Sequence, residues 1–195
     1  MGIKKPVSRP GDRMKILNTP IPDVKLLEPQ VFGDERGCFF ETFRQDDFKQ
    51  QIADLDFVQE NQSHSVQGTL RGLHYQLTSP QGKLVRVVYG EIFDVCVDLR
   101  RSSPSFGQWT GHILSADNKR QLWVPPGFAH GFYVLSNQAH CLYKCTDYYA
   151  PNDEHSIKWD DDALNIAWPL LAEPSPILSA KDLAASSFSQ AAYYD

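Results

Sequence analysis

The chain has 195 residues and a formal net charge of −5, from 19 basic and 24 acidic residues. This length supports one domain with a sizeable core, and the acidic balance argues against a general nucleic-acid-binding protein, which is usually basic. Hydrophobic residues make up 42% of the sequence and aromatic residues 12%, which argues against widespread disorder.

The N-terminal part of the chain combines a polar leader with one helix pattern. Residues 1–13 are basic and contain Pro and Gly, which predicts a flexible leader before a single domain at 14–195. At 46–55, Phe48 and Ile52 recur at helical spacing behind two aspartates, which suit the first turn of a helix. This stretch is the best helix candidate of the chain.

The central stretch, 68–99, alternates in the manner of β-strands on both sides of Gly90. The pattern predicts two strands that meet at a tight turn. In the second strand, Asp94 and Asp98 share a half-polar face, which fits either a barrel interior with a wet mouth or a solvent-exposed surface. Further short strands are predicted at 106–115, 121–124, 128–135 and around 141–145.

Many short strands and one strong helix predict an all-β sandwich or barrel. Cys96, Cys141 and Cys145 lie in its apolar runs, without a second pair at zinc-ligand spacing. Free buried thiols are typical of a reducing compartment. No apolar run has the length of a signal peptide or a membrane helix, so we expect a cytoplasmic protein that does not bind membranes.

Five scattered side chains could carry chemistry: His74, Lys83, His130, Tyr143 and Asp182. A histidine can act as a base whose tautomer a carboxylate fixes, a lysine can stabilise an oxyanion, and a tyrosine can donate a proton. Each residue taken alone is more often structural. His130, for example, lies on an apolar face, which is typical of a core histidine.

A metal-dependent barrel is the alternative reading of the two histidines. His74 and His130 could be two ligands of a cupin-type site. Such sites favour a second histidine two positions after the first, and that position holds Gln76. No further carboxylate has matching spacing, so we expect no bound metal.

Several motifs occur in order along the chain, among them FGDERGCFFETF at 32–43, LRGLHYQ at 70–76, QGKLVRVVYGEIFDVCVDLR at 81–100, QLWVPPGFAHGF at 121–132, LYKCTDYYAP at 142–151 and LSAKD at 178–182. With them, residues 14–185 resemble the dTDP-4-dehydrorhamnose 3,5-epimerase family. The resemblance implies a cupin-like double-stranded β-helix (jelly roll) with a few short helices. It also implies a homodimer that needs no metal and no nucleotide cofactor.

The resemblance implies an isomerase that inverts C3 and C5 of dTDP-4-dehydro-6-deoxy-D-glucose in dTDP-L-rhamnose biosynthesis. In that reaction His74 would remove protons, Asp182 would orient His74, Tyr143 would act as the acid on the other face, and Lys83 would stabilise the enolate. Two alternatives stay open: a single-centre C3 or C5 epimerase of another deoxysugar pathway, and a non-catalytic sugar-nucleotide-binding module.

The substrate contacts implied by the resemblance come from many segments. Phe32 and Tyr149 would border the base, and Arg36 would serve the site of a neighbouring subunit. The full implied set is Phe32, Arg36, Glu41, Gln59, Glu60, Asn61, Arg71, Lys83, His130, Tyr149, Glu154 and Lys181.

Overall fold

The computed structural model describes residues 14–172 and 175–195, so the predicted leader lies outside the described residues. The described part is mostly β-strand, with two short α-helices, α1 (Gln45–Gln51) and α2 (Ala180–Leu183). The strands are β1 (Met14–Asn18), β2 (Lys25–Pro29), β3 (Phe32–Asp34), β4 (Gly37–Phe39), β5 (Gln59–Val66), β6 (Leu70–Gln76), β7 (Lys83–Tyr89), β8 (Glu91–Asp98), β9 (Trp109–Ser115), β10 (Gln121–Val124), β11 (Phe128–Val134), β12 (Gln138–Cys145) and β13 (Glu154–Ser156).

Two antiparallel sheets face each other and enclose the core. One has the strand order β1-β2-β10-β7-β12-β5, and the other has the order β13-β6-β11-β8-β9. Between them, Val85 and Leu122 of the first sheet pack with Ile92 and Phe132 of the second. Apolar side chains at alternate positions on both inner faces produce this arrangement. The predicted all-β class is confirmed.

The predicted turn at Gly90 is present, but the strands on either side of it do not pair. The chain passes at this point from β7, in the six-stranded sheet, to β8, in the five-stranded sheet. Gly90 has a φ of +76°, and a Cβ there would collide with the carbonyl oxygen of Gln138. Only glycine fits both constraints, so this residue fixes the crossing between the sheets.

The half-polar face of β8 was expected to be either a barrel interior or a solvent-exposed surface. It lies inside the barrel. Asp94 and Asp98 are completely buried. Asp94 lies 2.9 Å from Nε2 of His130. Burial alone would raise the pKa of Asp98, but hydrogen bonds from Arg100 and Ser103 outweigh it and lower the pKa to about 2. Each buried carboxylate therefore has a hydrogen-bonding partner.

The predicted helix at 46–55 is shorter than expected, because α1 spans only Gln45–Gln51. Phe48 is buried against Trp123, with 5.0 Å between the ring centroids. Ile52 has left the helical conformation, yet it packs on the same cluster. The apolar spacing thus identified the buried face correctly and the helix end wrongly.

The C-terminal segment covers the outer face of the five-stranded sheet. Val97 and Leu99 of that face pack against Trp168 and Tyr194. The indole of Trp168 donates a hydrogen bond to the carbonyl oxygen of Trp159 at 2.8 Å. Through this coverage β8 is buried on both faces, and the tail of the chain reaches one end of the barrel.

The prediction of free, buried thiols is confirmed for the three cysteines in strands: Cys96, Cys141 and Cys145 are buried and form no disulfide. Cys38, on the β3–β4 hairpin, is exposed. Within the described ranges, no helix has the length and apolar character needed to cross a membrane.

Candidate active site

One end of the barrel opens into a cavity of about 330 Å³. Strands of both sheets contribute to its wall, together with the start of α2 and the C-terminal tail. The lining residues are Gln59, Asn61, His74, Tyr75, Gln76, Gln81, Lys83, Phe128, Tyr143, Tyr149, Glu154, Lys181 and Tyr194.

A histidine–carboxylate pair stands on the β6 side of this cavity. Nε2 of His74 lies 2.6 Å from Oδ1 of Asp182. Burial raises the pKa of Asp182, but hydrogen bonds from His74 and Ser179 outweigh it and lower the pKa to about 2. Because the ionised carboxylate can only accept, Nε2 must donate, and Nδ1 is the nitrogen left free to take a proton.

The start of α2 holds this carboxylate in place. Ser179 caps the helix, donating from Oγ to Oδ2 of Asp182 at 2.6 Å and accepting from its backbone N–H. The backbone N–H of Gly72 also donates to Asp182. A Cβ on Gly72 would lie 2.5 Å from Cα of Gly131, so only glycine lets β6 approach β11 this closely. Local backbone geometry therefore sets the orientation of His74.

Lys83 and Tyr143 come from the opposite sheet, on the neighbouring strands β7 and β12. Among the described residues, neither the ammonium of Lys83 nor the hydroxyl of Tyr143 has a hydrogen-bond partner. Burial lowers the pKa of Lys83 and raises that of Tyr143. The phenol therefore stays protonated at neutral pH. The cavity thus places the imidazole of His74 on one sheet, and the protonated phenol of Tyr143 and the amine of Lys83 on the other.

A second carboxylate approaches the free nitrogen of His74. Oε1 of Glu154 lies 3.9 Å from Nδ1 of His74. Burial raises the pKa of Glu154, but contacts with Lys181 and Tyr149 outweigh it and keep the pKa below its usual range. The hydroxyl of Tyr149 donates to Glu154 at 2.6 Å. An ionised carboxylate therefore lies near the ring nitrogen of His74 that Asp182 does not engage.

Side chains on β5 point alternately to the cavity and to the outer face of the sheet, and this separates the contact residues predicted on that strand. Gln59 and Asn61 face the cavity, and the Gln59 amide donates to Oδ1 of Asn61 at 3.0 Å. Gln59 also accepts a hydrogen bond from the backbone N–H of Tyr149. Glu60 points to the outer face, where it pairs with Lys144 at 3.2 Å. Only the two amides can therefore meet a ligand in this cavity.

Three predicted contact residues near the N-terminus lie away from the cavity of their own chain. Phe32 and Arg36 belong to the exposed β3–β4 hairpin, where Arg36 pairs with Asp34 at 2.5 Å. Glu41 accepts a hydrogen bond from Arg44 at 2.7 Å. Within one protomer, none of the three lines the cavity.

Arg71 and His130 also lie outside the lining of the cavity. Arg71 is exposed and donates to Oγ of Ser65 at 3.0 Å. His130 is the cross-strand partner of His74, but its Nε2 is engaged by the buried Asp94. Their implied contacts with a nucleotide stay predictions.

Gln76, at the position where a cupin-type metal site would have its second histidine, has a structural role. The side-chain amide of Gln76 donates to the carbonyl oxygens of Ser79 and Tyr148, and its oxygen accepts from the N–H of Ala150. Gln76 therefore connects two loops at the mouth of the cavity. In the part of the chain that the structure describes, no three His, Cys, Asp or Glu side chains are placed to hold a metal ion.

Sequence reasoning missed three residues that shape this site. Ser179 had a usable signal, since a Ser followed three positions later by an acidic side chain is typical of a capping box. Phe128 and Tyr194 had none, because they reach the cavity only through the packing of distant segments.

The model of the dTDP-4-dehydrorhamnose 3,5-epimerase family matches residues 18–190 of this chain. The chain belongs to that family. A family member from Neisseria gonorrhoeae is 59% identical over 91% of this chain, which spans 54% of that longer protein. Another, from Pseudomonas aeruginosa, is 55% identical, with 91% of this chain and 98% of its own length aligned. Both are dTDP-4-dehydrorhamnose 3,5-epimerases.

A crystal structure from the same family has this fold. The dTDP-6-deoxy-D-glucose-3,5-epimerase of Legionella pneumophila superposes with a TM-score of 0.88 at 53% identity. The match covers 91% of this chain and 94% of that one, and that crystal contains dTDP-4-keto-L-rhamnose. The predicted cupin-like jelly roll of this epimerase family is thereby confirmed.

Replacing Asp182 with Asn is expected to lower kcat by about 100-fold and to leave KM nearly unchanged. Ser179 donates to Oδ2, so the amide oxygen of Asn takes that side and its NH2 group faces His74. Nε2 must then accept, and the proton moves to Nδ1, which can no longer act as a base. Steady-state kinetics with a thermal-unfolding control measure this. A loss below about threefold would show that Asp182 does not set the tautomer.

Proposed function

We propose that this chain inverts C3 and C5 of dTDP-4-dehydro-6-deoxy-D-glucose and so forms dTDP-4-dehydro-L-rhamnose, a step of dTDP-L-rhamnose biosynthesis. One observation carries the proposal: the His74–Asp182 pair lines a cavity together with Tyr143 and Lys83, which come from the opposite sheet. The named relatives support the same reaction.

The chemistry begins at the C4 ketone, which acidifies the hydrogens on C3 and C5. Nδ1 of His74 takes one of these protons, and the electrons of the broken C–H bond move toward the C4 oxygen. The ammonium of Lys83 stabilises the resulting enolate. The phenol of Tyr143 then returns a proton to the opposite face of the planar carbon, which inverts the centre.

The charges around His74 support the proton transfer. When Nδ1 accepts a proton, the ring becomes an imidazolium that lies between the carboxylates of Asp182 and Glu154. Before the second inversion, His74 must release its proton and Tyr143 must regain one. The cavity is open at one end of the barrel, which gives water access for both exchanges.

The remaining implied residues would bind the nucleotide. Lys181 and Arg71 would neutralise the diphosphate, because cationic side chains form strong hydrogen bonds with phosphate oxygens. Gln59 and Asn61 would meet the polar edge of the base, and the ring of Tyr149 would border its face. These roles explain why an acidic protein places basic residues at this end of the barrel.

The proposal includes a homodimer in which the β3–β4 hairpin completes the site of the partner. The hairpin pairs with no other strand among the described residues, and Phe32 and Phe39 on it are 47% and 64% exposed. An isolated two-stranded hairpin is marginally stable in water. If a second copy of the chain covered this hairpin, Phe32 and Arg36 of the first copy would lie beside the cavity of the second copy.

Mixed dimers test whether Arg36 acts across the interface. Arg36→Ala and Tyr143→Phe are each expected to form little product alone. A dimer with one change in each subunit keeps one intact site if Arg36 serves the partner, so co-expression should restore about a quarter of wild-type product formation. No restoration, with Arg36→Ala inactive alone, would place Arg36 in its own subunit's site, whereas an active Arg36→Ala protein would place it outside the reaction.

We also propose that the protein is cytoplasmic. Its support is the set of three buried, unpaired cysteines, which suits a reducing compartment.

Proton NMR in D2O tests the reaction directly. The EDTA-treated protein is incubated with dTDP-4-dehydro-6-deoxyglucose, and deuterium is followed at C3 and C5. Incorporation at both centres, with formation of the L-rhamno product, is the expected result. Incorporation at one centre alone would identify a single-centre epimerase. Binding of dTDP without any incorporation would identify a binding module.

A further inference from the structure

Tyr194, in the C-terminal tail, lines the cavity, although it lies beyond the stretch that the family model matches. Tyr194 forms a parallel β-bridge with Arg100, and its backbone N–H donates to the carbonyl oxygen of Leu99 at 3.1 Å. These contacts attach the tail to the end of the five-stranded sheet. Its position at the rim of the cavity is therefore built into the fold.

The ring of Tyr194 is fixed by its own hydroxyl. This group donates to the carbonyl oxygen of Gln76 at 2.5 Å, and the hydroxyl of Tyr75 donates to the carbonyl oxygen of Ala192 at 2.8 Å. Burial raises the pKa of Tyr194, so the phenol stays neutral. With its hydroxyl engaged, Tyr194 offers the cavity mainly the carbon atoms of its ring.

Phe128 provides the adjoining part of the same wall. It begins β11, directly after the turn that follows β10, and Val124 at the end of β10 pairs with Lys83. The guanidinium of Arg100 lies 4.7 Å from the centroid of the Phe128 ring. Tyr194 bridges to Arg100, whose guanidinium lies over Phe128, so both aromatic residues belong to the same end of the five-stranded sheet and line the cavity together with Lys83.

We propose that Tyr194 and Phe128 contact the C6 methyl group of the sugar and select 6-deoxy substrates. This inference rests on the proposed function, in which Lys83 binds the C4 oxygen. C5 is next to C4 and bears the methyl, the one apolar substituent of the sugar ring. Most other lining side chains end in polar groups, so these two rings supply the matching surface.

A hydroxyl on C6 would lose its water against the ring carbons of this wall and gain no hydrogen-bond partner there. An apolar wall of this kind discriminates against an added hydroxyl by about 100-fold at most. Selectivity therefore depends on keeping the wall apolar, and Tyr194 is the part of it that the family model leaves out.

Tyr194→Ala tests the inference with two substrates, dTDP-4-dehydro-6-deoxyglucose and its 6-hydroxy counterpart. We expect KM for the 6-deoxy sugar to rise about tenfold, and the preference for it in kcat/KM to fall by a similar factor. The affinity for dTDP should not change. Tyr194→Phe keeps the ring and should retain the preference.

Tyr193→Ala is the matched control, because it removes the same volume from the same tail. The Tyr193 ring packs on Phe106 and Arg101, outside the cavity lining. It should leave the substrate preference at the wild-type value. If Tyr194→Ala does not fold, Tyr194→Gln keeps most of the volume but is polar, and it should shift the preference toward the 6-hydroxy sugar.

An unchanged preference in a folded Tyr194→Ala or Tyr194→Gln protein overturns the inference. So does a weaker affinity for dTDP in these variants, which would place the ring against the nucleotide. Deuterium exchange by the wild-type protein is measured first. Its absence would refute the proposed function itself, whereas exchange with an unaltered preference would refute only the role of Tyr194.

Discussion

His74→Ala is expected to abolish deuterium incorporation at both C3 and C5, with a loss of at least about 1,000-fold. The reason is that Nδ1 of His74 is the free basic nitrogen of the cavity, with Asp182 holding the other ring nitrogen at 2.6 Å. Both centres flank the same ketone, so one base can serve both. NMR in D2O measures the two exchange rates separately.

A second histidine provides the control for this variant. His155 stacks on Tyr75 at 5.3 Å, one residue from Glu154 in the chain, but it does not line the cavity. The His155→Ala protein should incorporate deuterium at C3 and C5 at nearly the wild-type rate. Calorimetry should show that dTDP still binds to His74→Ala, because the base and diphosphate contacts remain. Full exchange at either centre in His74→Ala would remove this residue from the mechanism at that centre.

The secondary structure could largely be predicted because it depends on local alternation. The strand predicted at 121–124 has those bounds as β10, and the buried face of α1 follows from the spacing of Phe48 and Ile52. The passage between sheets at Gly90 could not be predicted. Its cause is non-local, since β7 pairs with β10 and β12 and leaves β8 to the other sheet.

The candidate site shows the same division between local and distant causes. His74 and Asp182 are 108 residues apart in the sequence, so spacing alone could not pair them, and the family resemblance did. Alternation along β5 could have separated Glu60 from Gln59 and Asn61. The location of Tyr194 depends on its bridge to Arg100, for which the sequence carries no local pattern.

Tyr143→Phe is expected to reduce formation of the inverted product by about 100-fold or more, while deuterium exchange is spared at one centre more than at the other. The change keeps the buried ring and removes only the hydroxyl. At the centre that reacts first, His74 can remove a proton and return a deuteron from its own face. In the proposed mechanism, the second centre is reached only after Tyr143 has completed the first inversion, so its exchange falls with product formation.

Tyr148→Phe is the matched control, because it deletes a phenolic hydroxyl from an exposed ring outside the cavity lining. It should leave both exchange rates and product formation unchanged. Equal losses of exchange at C3 and C5 in Tyr143→Phe would count against an acid on the opposite face. Unequal losses would support the assignment, because His74 and Tyr143 stand on opposing sheets and a planar enolate between them presents one face to each.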